Sequence, residues 1–157
     1  MTSLNIRPVK ESDIESIIAL DGRLTGGGPG RAGFWRGLLS LHVAPEGEAP
    51  AAPLFLCHVA EMAGGPEHRL AGFIIGDVQS WQFGLPRHGR IVVLGVDPDM
   101  RRQGVASRLA RSLLEVFRKM DLPFVHCLVE PGDPLEEFFG SLGFRAPGFR
   151  ILEKPLA

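Results

Sequence analysis

Arg101, Arg102 and Gly104 are the residues of this 157-residue chain whose types and spacing most directly suggest chemistry. They open a helical pattern in which Val105, Leu109, Leu113, Val116 and Met120 form one apolar row, with Ala106, Ala110, Leu114 and Phe117 beside it. A helix N-terminus carries roughly +0.5 of a charge, so two arginines there repel the dipole. Gly104 costs up to about 1 kcal/mol of helix propensity relative to alanine. An anion reconciles both features. Free N–H groups of a first turn, a glycine that admits close approach and two guanidinium groups together suit a phosphate or pyrophosphate. The simpler alternative is an ordinary turn with a solvated basic face.

The elements that must position these residues are a strand before them and the helix after them. Ile91 to Leu94 is a β-branched and aliphatic run that continues to Val96 and is stopped by Asp97-Pro98. In that setting Arg101-x-x-Gly104-x-Ala106, within V-x-P-x-x-R-x-x-G-x-A-x-x-L, resembles the pyrophosphate signature of the GNAT superfamily of acetyl-CoA-dependent N-acyltransferases. Phe138-Phe139-x-x-Leu142-Gly143-Phe144 resembles that family's second signature, L-Y-x-x-x-G-F. The opening IRPVKESDIESIIAL resembles its first strand and helix. The resemblance implies an α/β fold over residues 1–157 as a single domain: a mixed, mostly antiparallel sheet with helices on both faces.

The resemblance also implies acetyl transfer from acetyl-CoA to a primary amine by direct attack. Backbone groups of Leu94, Gly95 and Val96 would line the pantetheine arm, and a strand N–H would polarise the thioester carbonyl. The N–H groups of Arg102, Gln103, Gly104, Val105 and Ala106, with the side chain of Arg101, would take the pyrophosphate. In the family the signature strand splays from the next one, and Gly95 suits a bulge or close backbone approach there.

Two departures touch the acid and the base. Many relatives place a tyrosine where Phe139 stands, and this chain has no tyrosine. Nor does Ile91 to Val96 carry the carboxylate that often serves as base. Glu130, expected at the end of the last long strand, is the first substitute base; His88 and Asp77 follow, each with a solvated surface role as the alternative. His126 reads as a satisfied strand histidine. Cys57-His58 and His126-Cys127 invite a metal reading, but neighbouring strand residues point to opposite faces, so no metal is expected. Only Arg145 to Gly148 separate Phe144 from Phe149, where relatives carry a longer loop. A short one suggests an open acceptor groove suited to a peptide terminus or lysine side chain, or one covered by the partner subunit of a homodimer.

Composition narrows the remaining classes. With 45% apolar and 22% charged residues the chain can build one core. A net charge of −1 argues against a nucleic-acid partner held by bulk positive charge. No run approaches the ~18 apolar residues of a membrane span. The start MTSLNIRPVKESD lacks a signal-peptide layout, and two cysteines are too few for a disulfide framework. A cytoplasmic protein is expected.

Further elements follow from local patterns. Leu4 to Arg7 is a short strand ended by Pro8, and Ser12-x-x-Glu15 predicts a capping box before a helix whose buried face holds Ile14, Ile17, Ile18 and Leu24. Thr25 to Arg31 is glycine-rich but lacks the lysine ending of a P-loop, so it reads as a connection between helices. Phe34, Trp35, Leu38, Leu39 and Leu41 predict a second helix, and Val43 to Pro53 a loop. Leu54–Ala60 and Leu70–Val78 predict an antiparallel hairpin turning at Gly64-Gly65-Pro66. Trp81 and Phe83 read as half-buried packing, with exposed aromatics lining a groove as the alternative. Phe124–Val129 and Phe149–Leu152 predict two last strands, with a helix between them capped by Asp133 and ended by Gly143.

Overall fold

The computed structural model describes residues 3–28, 30–40, 55–63, 69–80 and 82–156. The chain divides into two compact units, residues 1–127 and 128–157. In the first, β1 (Leu4–Pro8), β2 (Phe55–Met62), β3 (Leu70–Gln79), β4 (His88–Val96) and β5 (Val125–Cys127) form one sheet in the order β1-β2-β3-β4-β5. The first four strands pair antiparallel, and β5 joins β4 in parallel. The Gly64 to Pro66 turn and the Val43 to Pro53 loop lie outside the described residues, as do Leu54 and Trp81.

Helices cover both faces, and strand alternation decides which residues meet which helix. Against one face lie α1 (Ile14–Thr25) and α2 (Arg31–Ser40). Ile17, Leu20, Trp35 and Leu39 pack there against Cys57, Val59, Phe73 and Ile75. The residues between, on the other face, meet α3 (Val105–Lys119). Leu109, Leu113 and Phe117 are fully buried, each apolar side chain of this kind contributing about 1.5–3 kcal/mol. They approach closely because the sheet is bare beneath them: a Cβ on Gly76 would lie 2.8 Å from Leu113 and 2.9 Å from Phe117.

Helix starts differ from expectation at one end of the chain. The Ser12 and Glu15 capping box does not form. A 3₁₀ turn over Glu11–Asp13 precedes α1, and Asp13 Oδ2 accepts from the Lys10 N–H at 2.7 Å. Asp13 dominates because it is also held by Arg7 in a bidentate pair, at 2.7 and 2.9 Å, in a nearly buried site. Glu15 turns instead to Arg36 on α2.

In the second unit α4 (Pro134–Ser141) begins as expected: Asp133 Oδ1 accepts from the Leu135 N–H at 2.7 Å. It ends at Gly143, φ +90°, in a Schellman turn where Gly143 N–H donates to Gly140 and Phe144 N–H to Phe139. The Phe139 and Phe144 rings, 5.1 Å apart, supply the accompanying apolar contact. The expected strand Phe149–Leu152 is absent: this segment is irregular, and Ile151 and Leu152 are 65% and 90% exposed. No helix among the described residues is long and apolar enough to cross a membrane.

Candidate functional site

One residue too many in β4 creates the feature on which the site is built. Ile75 faces Val93 but Gly76 faces Ile91, so Val92 has no counterpart on β3 and forms a bulge. The bulge reverses which residues face which helix. Gly89 and Ile91 look toward α3, whereas Val93 and Gly95 look toward α1. Gly95 is therefore not the bulge. It is a close approach, where a Cβ would meet Phe73 at 2.8 Å and Leu24 at 2.9 Å.

Pairing on the other edge of β4 stops at the same place. Gly89, Arg90 and Ile91 face Val125, His126 and Cys127, and beyond Ile91 no strand pairs with that edge among the described residues. Among the described residues, the stretch Val92 to Val96, with Leu94, Gly95 and Val96, thus pairs with a strand on its β3 side alone. Val92 is 47% exposed.

The chain then leaves β4 through a 3₁₀ turn, Pro98–Met100, and reaches the arginines. Arg102 adopts φ +59°, unusual for a residue with a side chain, and Gly104 φ +78° at the N-cap of α3. Gly104 offers no side chain to accept the first N–H groups, and the first turn holds no acidic residue. Those N–H groups have no intrahelical partner. Arg101 to Gly104 are all exposed, and the Gln103 amide donates to the Asp99 carbonyl at 3.2 Å. Neither Arg101 nor Arg102 forms an ion pair among the described residues.

Asp97 is the residue that the sequence reading missed. Read as a strand stop, it is a fully buried carboxylate. Its Oδ2 accepts from Arg23 of α1 at 3.0 Å and from Arg69 at 3.0 and 3.3 Å, while Oδ1 accepts from the Asp99 N–H at 3.1 Å. Burial pushes this carboxyl upward, but Arg69, the Asp99 N–H and Arg23 outweigh it and hold it below the ordinary value. The D-P-D spacing was the available signal, since an Asp before Pro caps such a turn.

The candidate bases fall in different environments. Strand β5 ends at Cys127, so Glu130 lies three residues beyond it, exposed, its carbonyl accepting from the Asp133 N–H at 3.0 Å. The strand is shorter than predicted because its pairing with β4 ends at Ile91 and Cys127, where β4 bulges at Val92. His88 is neither before the signature strand nor solvated: it is the first residue of β4 and fully buried. Its Nδ1 donates to the Pro86 carbonyl at 2.7 Å and its ring stacks on Phe124. Asp77 is occupied by Arg90, whose Nε donates to it at 3.0 Å. The His126 ring lies 4.9 Å from that of His88, and burial, then the His88 and Arg90 charges, lowers its pKa.

Cys57 and His58 point to opposite faces, as adjacent strand residues must. Cys57 lies in the α1 core, and its thiol is pushed up to about 12 by burial. His58 shares a 2.7 Å hydrogen bond with Ser112 of α3, and burial lowers its pKa. Cys127 is half-buried and its thiol is likewise raised. Phe83 corrects another expectation. It is fully exposed at the tip of a two-residue turn, with Gly84, where both central residues have positive φ.

Comparison with known proteins places this geometry. The model of the acetyltransferase (GNAT) family matches residues 42–144, more than half of the chain. The N-terminal acetyltransferase B complex catalytic subunit NAA20 of Arabidopsis thaliana is 34% identical over 93 residues, which cover 55% of this chain and 48% of that protein. The match thus spans about half the length of the curated relative. A Trypanosoma brucei acetyltransferase superposes with a TM-score of 0.73 at 23% identity, over 98% of this chain and 100% of that one. The aminoglycoside N-acetyltransferase AAC(6')-Iy, solved in complex with CoA, superposes with a TM-score of 0.74 at 16% identity, over 100% and 97%. At these identities the solved structures speak for the fold. With its bulged, half-paired β4 running into an uncapped cationic helix start, the chain belongs to the GNAT family of acetyltransferases.

Proposed function

We propose that the protein transfers an acetyl group from acetyl-CoA to a primary amine by direct attack. The observation that carries this reading is the continuity of the open β4 edge, Val92 to Val96, with the cationic and uncapped first turn at Arg101 to Ala106. The residues fit the group: a strand edge with free backbone donors and acceptors suits an amide-bearing arm, and unpaired N–H groups beside two guanidinium groups suit a pyrophosphate. Acetyl-CoA supplies the activated acetyl thioester and a thiolate leaving group. Leu94, Gly95 and Val96 bind the arm through their backbone, and one N–H of this edge polarises the carbonyl. Arg102, Gln103, Gly104, Val105 and Ala106 hold the diphosphate through backbone N–H groups, with the Arg101 side chain adding charge. Glu130 takes the proton from the amine.

A polypeptide N-terminus is the first acceptor to test, because the curated relative is the catalytic subunit of an N-terminal acetyltransferase. Lysine side chains and aminoglycosides form the comparison set. The cytoplasm is the proposed location, where the unpaired Cys57 and Cys127 remain reduced.

A second reading is favoured by one observation: the chain has no tyrosine, and Phe139 occupies that place in the second signature. It is an acyl-CoA-binding module with little turnover, since general acid–base help is worth typically ~10²–10⁴-fold. Thermal shift with acetyl-CoA, CoA and ATP, followed by thiol release with each amine class, separates the readings. A shift with both CoA species and amine-dependent thiol release supports the enzyme. A shift without release supports the module, and no shift with any CoA species overturns both.

A further inference from the structure

We propose that Asp97 is a positioning residue for the Arg101–Gly104 cradle, fixing from inside the fold the turn on which the cradle hangs. The inference rests on the reading, given above, that this cradle takes the pyrophosphate. Every polar atom of Asp97 is engaged. Its N–H donates to the Ala71 carbonyl at 2.9 Å and its carbonyl accepts from the Met100 N–H at 2.8 Å. One carboxylate oxygen caps the 3₁₀ turn through the Asp99 N–H, and the other gathers Arg23 and Arg69. Arg69 also reaches Asp99 at 3.1 Å. Three separate segments, the end of α1, the start of β3 and the exit of β4, therefore meet on one buried carboxylate.

The cradle has few other anchors. Arg101 to Gly104 are exposed, and their side-chain tethers run from the Gln103 amide to Asp99 O and Met100 Sδ, both in the turn that Asp97 caps. Arg102 is held in a left-handed conformation that a residue with a side chain rarely adopts. Precise placement of N–H groups matters for anion affinity, because a hydrogen bond weakens steeply as its angle falls off. The position of the first turn of α3 thus depends on a side chain that touches no ligand.

Charge alone predicts the opposite behaviour, which makes the proposal testable. Arg23 and Arg69 balance Asp97 and Asp99. Removing the Asp97 charge leaves excess positive charge near the cradle, so pure electrostatics predicts tighter CoA binding in Asp97→Asn and weaker binding in Arg69→Gln. Positioning predicts weaker binding in both.

The experiment compares wild type, Asp97→Asn, Arg69→Gln and Asp13→Asn by amide exchange in the free protein and by CoA titration calorimetry. Asp13→Asn is the stability control, because Asp13 is also a buried carboxylate in a bidentate arginine pair. Expected in Asp97→Asn and Arg69→Gln are faster exchange at Met100 and Arg108 and a CoA dissociation constant raised roughly tenfold, the effect of about one weakened hydrogen bond to a charged group. Asp13→Asn shows neither change. Exchange at Met100 and Arg108 equal to the control, or CoA affinity unchanged or tighter in Asp97→Asn, overturns the proposal. If Asp97→Asn does not fold, Arg69→Gln decides by amide exchange at Met100 and Arg108, because its CoA affinity falls on either account. Should the wild type bind no CoA while exchange still responds, the positioning role stands and the cofactor reading is what fails.

Discussion

The Phe73 ring lies directly over Gly95. The two residues are opposite each other across the β3–β4 pair, and a methyl group at residue 95 would come within 2.8 Å of the ring. Phe73 has little room to yield, since Trp35 of α2 meets it edge-on at 5.7 Å. Gly95→Ala is expected to lower stability by about 1–3 kcal/mol, the usual cost of overpacking. At roughly 2–4 °C per kcal/mol for a chain of this size, the change is visible in a melting curve. The same substitution should weaken CoA binding by displacing the open edge of β4. A variant with unchanged Tm and unchanged affinity would show that the ring does not hold this strand.

Gly104 makes a different demand. Nothing lies within 4 Å of a Cβ there, so the cost of Gly104→Val is purely conformational, arising from φ +78°. It is about 1–2 kcal/mol for a residue with a branched side chain. The variant should fold, start α3 in a different geometry and bind CoA more weakly by calorimetry. Unchanged CoA affinity would remove the first turn of α3 from the cofactor site.

Alkaline pH should expose the burial of Cys57. An accessible thiol ionises near 9.0, whereas that of Cys57 does so at about 12. Across that window the unfolded chain releases a proton that the native state retains, so this group lowers stability as pH rises. Its contribution can reach about 1.4 kcal/mol per pH unit. Urea midpoints of wild type should fall more steeply than those of Cys57→Ala over this range; parallel curves would contradict the burial.

Acid should act through Asp21. Arg31, the first residue of α2, donates to both carboxylate oxygens of Asp21, and these bonds hold its pKa below the ordinary 3.8. A depressed carboxyl stabilises the fold above the unfolded value, and that stability is lost as pH falls through the folded value. Wild type should therefore exceed Asp21→Asn in urea stability at neutral pH. The gap should shrink below pH 3.8, and a gap independent of pH would mean that the pair contributes through shape alone.

Much of the frame was legible because periodicity and punctuation are local. The α3 apolar row, the Asp133 cap and the Gly143 terminator follow from residues within a turn or two of one another. What escaped depends on partners distant in sequence. Asp13 displaced the Ser12 cap because Arg7 and Lys10 converge on it, which no helix-start pattern contains. The Val92 bulge is set by how β3 and β4 register, and Gly95 gave only a neighbouring hint. Asp97 looked like punctuation because Arg23 and Arg69 lie far from it along the chain. His88 looked like surface because its burial comes from His126 of β5 and from Phe124 just before it.

The sheet order has a kinetic consequence. β2, β3 and β4 are consecutive in sequence and adjacent in space, so they can zip together as a meander with little loop entropy to overcome. Both outer strands must close long intervals: β1 pairs with β2 across α1 and α2, and β5 reaches β4 across α3. Pulse-labelled refolding should protect the amides of β3 before those of Val125 to Cys127. The edge at which β4 parts from its neighbour would then be the last seam of the molecule to close, and the first to open under denaturant.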